Sequence, residues 1–229
     1  MRITAEQAAL HNLDATKLTS RVIIHPGKNQ DGYWTNEHVA LQLRDTVVPI
    51  FDILHPNCQA LFAFDNSSNH GCFAPDALAT KNLNVSDGGA KTTNALMRST
   101  TFGDPPQVQN MQVDGTKQKG LKRILQERGL YVEGMHKEQM IAVLDAQPDF
   151  SAQKCWLEEI CNNAGHLAIF FPKFHCEFNW IERYWGEAKR FARANCDYTF
   201  ASLQHTVPRA LDQVPLSHMR KHALLCFRY

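Results

Sequence analysis

The stretch Gln59-Ala-Leu-Phe-Ala-Phe-Asp-Asn-Ser-Ser-Asn-His70 decides the reading of the fold. Its first six residues are almost wholly apolar and too few to make a buried helix. Helical patterns flank the run, so a central, buried strand is the natural reading. Asp65 then stands at the carboxyl end of that strand, where open α/β sheets hold their ligands. Asn66 and the serines after it suit a turn. A turn or helix-capping aspartate is the plain alternative, and this segment alone leaves the two open.

A second apolar run, Leu167-Ala-Ile-Phe-Phe171, is stopped by Pro172. It leads through Lys-Phe-His-Cys-Glu-Phe-Asn-Trp-Ile to Glu182 and on to Trp185. From about 179 to 194 the spacing of Ile181, Tyr184, Trp185, Ala188, Phe191 and Ala192 predicts an amphipathic helix with Glu182 in its first turn. Trp180, Tyr184 and Trp185 read as anchors of that helix rather than as base-stacking platforms. Glu182 alone could serve only to complement the helix dipole. Taken together, strand–Asp and strand–loop–helix–Glu form the layout of a divalent-cation site for phosphoryl transfer. Hard cations such as Mg²⁺ take carboxylate oxygens and keep several waters. Two such ions about 3.5–4 Å apart can activate a nucleophile and stabilise the leaving oxygen of a phosphodiester.

Outward from these strands the pattern is mixed helix and strand. Thr4 caps a short helix, 21–25 reads as a strand ending at Pro26-Gly27, and Thr35 or Asn36 opens a helix that Pro49 kinks. Residues 84–119 hold Gly88-Gly89, Pro105-Pro106 and a single aromatic. They read as an exposed, loop-rich insertion with a small hairpin near Asp114-Gly115. Helices follow over about 120–128, 137–146, 149–163, 200–213 and 217–226. No run approaches the roughly 18 apolar residues of a membrane helix. The opening MRITAEQAAL lacks a secretory layout, so an intracellular protein is expected, not a secreted or membrane one. Seven cysteines, an odd number without a CxxC pair, read as reduced and mostly buried thiols. A zinc site from His70, Cys72, His175 and Cys176 stays open as an alternative.

Net charge is +1 for the 229 residues, but it is unevenly placed. Residues 183–229 carry eight basic and three acidic side chains. Lys189, Arg190 and Arg193 lie on the helix of Glu182, where they suit a DNA backbone. A solvated helix surface is the plain alternative.

Three stretches now carry a resemblance. Phe64-Asp-Asn-Ser-Ser-Asn-His70, the segment from Phe171 to Gly186 with its Asn-Trp-Ile-Glu-Arg-Tyr-Trp, and the start of the basic helix resemble the second and third acidic motifs of DDE superfamily transposases. The match is to the mariner-like, transposon-derived group abundant in fungal genomes. The segments 25–34, 120–129 and 196–200 are similar to the same group. The resemblance implies an α/β, RNase H-like (retroviral integrase-type) mixed sheet flanked by helices. It implies one domain over 1–229, with the insertion at about 84–119 and a helical part at about 179–229. It also implies metal-dependent DNA cleavage and joining in the nucleus with Mg²⁺ or Mn²⁺. Asp65 and Glu182 take the positions of the second and third catalytic, metal-binding carboxylates. Asn66, His70 and Asn179 are candidates for the shell around them, although His70 reads first as a cap of its own turn.

The sequence departs from that family in ways that shape the expectation. The family's first catalytic Asp lies on a strand upstream of what residues 1–34 match, so the first strand is expected to be missing. Asp14 and Asp31 sit in loop-like contexts and make poor substitutes. Trp180 replaces the family's Pro before Ile-Glu, and 134–140 lacks the group's cysteines. No helix-turn-helix region precedes the core. The reading is a truncated transposase core, inactive in strand cleavage. The alternative is a non-catalytic nucleic-acid-binding or protein-interaction module of the same fold.

Overall fold

The computed structural model describes residues 1–88 and 96–228. The chain is mixed α/β and divides into two compact units. One comprises Met1–Gly71 and Ile160–Tyr229, the other Cys72–Glu159.

The first unit opens with α1 (Ala5–Leu10), where Thr4 and Gln7 form a reciprocal capping box. The segment 21–25 is extended but joins no sheet, contrary to the strand expected there. Its bonds go elsewhere: Asp31 accepts from the His25 amide at 2.7 Å, and Arg21 pairs with Asp212 at 2.8 Å. Next come α2 (Asn36–Gln42) and α3 (Val48–Leu54), joined by a π-turn over Leu43–Val47. Pro49 lacks an N–H and its ring crowds the carbonyl four residues back. The wider turn, with the Val48 amide bonded to Leu43 O, sets Pro49 in the first turn of α3. What looked like a kinked helix is thus two helices with a π-turn between them.

β1 (Leu61–Phe64) follows. The chain then enters the second unit: β2 (Thr100–Phe102) pairs antiparallel with β3 (Gln107–Gln109), and β4 (Gln112–Val113) with β5 (Lys117–Gln118). The β4–β5 turn places Asp114 and Gly115 at φ 52° and 70°, the conformation their residue types favour. The helices are α4 (Leu121–Glu127), α5 (Lys137–Asp145), α6 (Pro148–Ser151) and α7 (Trp156–Asn163), which returns to the first unit. The single helix expected over 149–163 is broken at 152–155. There the Leu78 amide bonds to Gln153 Oε1 at 3.1 Å and the Trp156 amide to Cys72 O at 2.8 Å.

The insertion expected to be an exposed loop is instead part of this unit's core. Met97 and Met111 are buried with Leu83, Leu121, Ile124, Leu125, Met140 and Leu144. Its polar side chains substitute for ladder partners. Buried Gln118 accepts from the Met97 amide at 2.9 Å and donates to Met111 O at 2.8 Å. The Gly88-Gly89 pair and the residues to 95 fall at or beyond the edge of the described residues.

Gly120, at the N-cap of α4, lies so close to 85–86 that an added Cβ would stand 2.4 Å from Ser86 C and 2.5 Å from Val85 O. Both obstacles are backbone, and Asp87 is held there by bonds from the Gly120 amide and Arg123 at 2.9 and 2.8 Å. Gly120→Ala is therefore expected to cost about 1–3 kcal/mol by overpacking. A urea midpoint unchanged from the parent protein would refute this.

In the first unit β6 (Leu167–Phe170) pairs parallel with β1, Leu61 opposite Leu167 and Phe64 opposite Phe170. The strands are not buried on both faces as expected. Phe62, Phe64, Ala168 and Phe170 are half-buried, with Phe62 near Phe51 of α3, while Leu61, Leu167 and Ile169 are 57, 48 and 42% exposed. Buried His166 ties this layer together. One ring nitrogen meets Asp52 of α3 at 2.9 Å, and the other accepts from the Ala60 amide at 3.4 Å.

The chain ends in α8 (Trp180–Asn195), α9 (Phe200–Gln213) and α10 (Leu216–Cys226). Tyr184 and Ala188 of α8 pack with Ala210 and Val214, and Trp180 joins them as an anchor, whereas Trp185, expected to anchor the helix as well, is 42% exposed and outside this cluster. Tyr184 donates its hydroxyl to Leu211 O at 2.9 Å. Glu187 of α8 clamps α10, its two oxygens 3.0 Å from His218 Nδ1 and 2.8 Å from His222 Nε2.

Candidate functional site

Parallel pairing with level ends is what creates the site. Phe64 and Phe170 are partners, and the Phe171 amide donates to Phe64 O at 2.8 Å. Both strands therefore deliver their following loops to the same carboxyl edge. Asp65 comes directly off β1. Off β6, residues 171–179 wind through a 3₁₀ turn (Cys176–Phe178) into α8. Asn179 caps that helix, its side-chain oxygen accepting from the Ile181 amide at 3.2 Å, and so fixes where Glu182 emerges.

Asp65 and Glu182, with 116 residues between them in sequence, line one cavity of about 290 Å³. Asn66, Ser67 and Asn179 line it too, as do residues 171–176. All three are polar, and Asp65 and Glu182 are exposed, so the carboxylates stay in contact with water. His70 does more than cap its turn: Nδ1 bonds to Asp65 Oδ1, and the ring lies 5.5 Å from Phe64. The Ser67 amide donates to the same oxygen at 3.3 Å. A carboxylate bonded this way through one oxygen is held in orientation.

The acids Asp14, Asp31 and Glu177 are engaged elsewhere. Asp14 accepts from the Thr16 amide and hydroxyl at 2.9 and 2.8 Å, bonds that hold its carboxyl below its ordinary value. Asp31 closes the 25–31 turn. His175 bonds Glu177 at 2.6 Å and holds that carboxyl below its ordinary range. No three His, Cys, Asp or Glu side chains come together as a metal-binding group among the described residues, so the zinc alternative finds no support. The cysteines form no disulfide among the described residues, and only Cys161 and Cys226 are buried, fewer than expected.

Helix geometry relates Glu182 to the predicted cations. At about 100° per residue, Lys189 and Arg193 fall within about 20° of the line of Glu182 along α8. They lie about 10 and 16 Å farther along the axis. Arg190 flanks them, and all three are exposed and make no ion pair among the described residues. The packed face, with Tyr184 and Ala188, points away from that line.

Sequence reasoning missed Phe174 in the cavity lining, which is 100% exposed. It also missed the Glu187 clamp, although His218 and His222 at i, i+4 were a legible signal. Comparison with protein-family models, with curated proteins and with solved structures returns no match. No helix among the described residues is long and apolar enough to cross a membrane.

Proposed function

We propose that the chain is a DDE transposase-type core of RNase H-like fold that acts as a DNA-binding module. One observation carries the reading: a strand-end aspartate and a helix-start glutamate line a single water-exposed cavity, and the glutamate's helix continues its line with cations that make no ion pair among the described residues. Carboxylates alone would repel DNA, and cations alone would bind any polyanion. Their alignment on α8 suits a strand whose phosphates run along Lys189 and Arg193 and whose path passes the cavity.

The donor set fits a hard divalent cation, because Asp65 and Glu182 offer carboxylate oxygens in an open cavity where Mg²⁺ or Mn²⁺ keeps its waters. Bound there, such an ion would polarise a phosphodiester and activate water. Asp65 and Glu182 would hold it, and His70 would orient Asp65. No third ligand stands with them among the described residues, and two carboxylates neutralise one dication rather than two. DNA binding without strand cleavage is accordingly expected from this chain alone.

The test is binding of a fluorescent duplex at several salt concentrations, with and without Mg²⁺, followed by a nicking assay. Affinity should fall steeply with salt, and Asp65→Asn should leave binding nearly unchanged. No binding at low salt would sink the reading. It would favour the protein-interaction alternative, for which the open apolar face of Leu61, Leu167 and Ile169 is the supporting feature. Nicking abolished by Asp65→Asn would overturn the expectation of inactivity.

A further inference from the structure

The loop between β6 and α8 contains four rings, and three of them pack on one another. Phe171 and Phe178 are stacked, centroids 6.5 Å apart at 26°, and His175 lies 5.5 Å from Phe178. Phe174 does not join them. It lines the same cavity as Asp65 and Glu182, yet its side chain is fully exposed. Its backbone lies at φ +67°, a left-handed conformation that an aromatic residue rarely adopts. A fully exposed aromatic ring on the lining of a cavity that also holds two carboxylates offers a flat apolar face to a ligand. Backbone strain at such a position is the kind found at ligand clamps.

We infer that Phe174 is a stacking platform for an unpaired nucleobase held beside the carboxylate cavity, an inference that rests on the DNA-binding reading above. The occupant follows from the DNA-binding reading rather than from the charge of the cavity itself, where Asp65 and Glu182 stand beside Lys173. Lys173, next in the chain, is exposed and makes no ion pair among the described residues. Lys189 and Arg193 follow along α8 in the direction already described. On that reading a nucleotide fits both features, its base meeting the face of Phe174 and its phosphate reaching Lys173. A base inside a duplex already has both faces stacked and cannot offer one. The base on Phe174 is thus from a single-stranded overhang, a frayed end or a flipped nucleotide. Every base has a π-face, so the contact gives preference for unpaired structure and little for sequence. The substrate class becomes DNA with an unpaired nucleotide beside a duplex, not uniform duplex.

The test uses the full chain and two oligonucleotides, a blunt duplex and the same duplex with a three-nucleotide overhang carrying 2-aminopurine. The overhang should bind about tenfold more tightly, within the range of one base stacked on one aromatic ring, with a change in 2-aminopurine emission. Phe174→Ala should remove both the preference and the emission change while leaving blunt-duplex affinity as it was. Phe174→Trp should restore them. Since Phe174 touches no core, circular dichroism should be the same for all three proteins. Equal binding of both DNAs, unaffected by Phe174→Ala, would overturn the stacking role and leave the DNA-binding reading intact. Binding of neither DNA at low salt would overturn both. Loss of binding to phosphatidylserine vesicles in Phe174→Ala, with DNA binding unchanged, would reassign the residue to a lipid surface and refute the proposal.

Discussion

Asp149→Ala is expected to destabilise the second unit by about 3–5 kcal/mol, the cost of leaving a buried charge unpaired. The Arg128 side chain is completely buried and Asp149 is 10% exposed. They meet through two parallel bonds, Nη1 to Oδ1 at 2.9 Å and Nη2 to Oδ2 at 2.7 Å. Gln109 takes the Nε hydrogen at 2.8 Å, and the guanidinium lies 4.6 and 5.2 Å from the ring centres of Phe102 and Phe150. Thr100 donates to Asp149 at 2.9 Å. Removing the carboxylate strands a guanidinium that cannot lose its proton. Replacing both partners, as in Arg128→Met with Asp149→Leu, removes the charges together and should cost far less than either single change. Urea unfolding of the four proteins closes a double-mutant cycle. A double variant as unstable as the sum of the singles would show that the pair is not coupled.

The same pair carries a pH signature. Burial pushes the Asp149 carboxyl up, but the bonds from Arg128 and Thr100 outweigh it and hold the group below its ordinary value. The folded state therefore keeps this carboxylate ionised at pH values where the unfolded chain has begun to protonate it, near 3.9. Its contribution is fully present above that range and is lost as pH falls through the depressed folded value. The stability gap between the parent protein and Asp149→Asn should hold constant near neutrality and narrow below about pH 4. A gap that widens in acid would reverse the assignment.

Why the sequence exposes the site but conceals this anchor is a matter of range. Asp65 and Glu182 could be placed because each follows a short apolar run with a sharp stop, and Asn179 is a capping residue at the right distance. Those signals are local. Whether β1 and β6 are covered on both faces depends on what lies across the sheet, and composition cannot report that. The packing of 84–119 depended on Met97 and Met111 meeting α4 and α5. It also depended on Gln118 bonding the backbone of Met97 and Met111, and on Gln109 bonding Ile124 O, Glu127 and Arg128, and polar residues that look like loop only reveal that use in three dimensions. The π-turn before Pro49 was half legible, since proline announces a fault in the helix but not its form. His70 was read as a cap because a histidine after a turn usually is one. Its bond to Asp65 depends on the turn folding back, which no spacing rule states.

The triple change Lys189→Ala, Arg190→Ala and Arg193→Ala is expected to weaken duplex binding on the order of 10²-fold at about 0.1 M salt. Each phosphate neutralised releases condensed counterions and contributes about 0.9 to the slope of log affinity against log salt. Three lost contacts should flatten that slope by about 2.7 units. The effect is electrostatic, so it should shrink as salt rises and the two proteins should converge near 1 M, where the Debye length is about 3 Å. Alanine is a good helix former, and all three side chains are exposed on α8, away from the Tyr184–Ala188 face, so helicity should be preserved. Arg209→Ala on α9 serves as the comparison, a basic residue off the line that runs from Glu182 through Lys189 to Arg193. If a loss of the same size came from Arg209→Ala, binding would follow the net charge of the C-terminal helices rather than the face of α8. The strand would then have no defined path past Asp65 and Glu182, and the cavity would lose its claim to be where DNA is held.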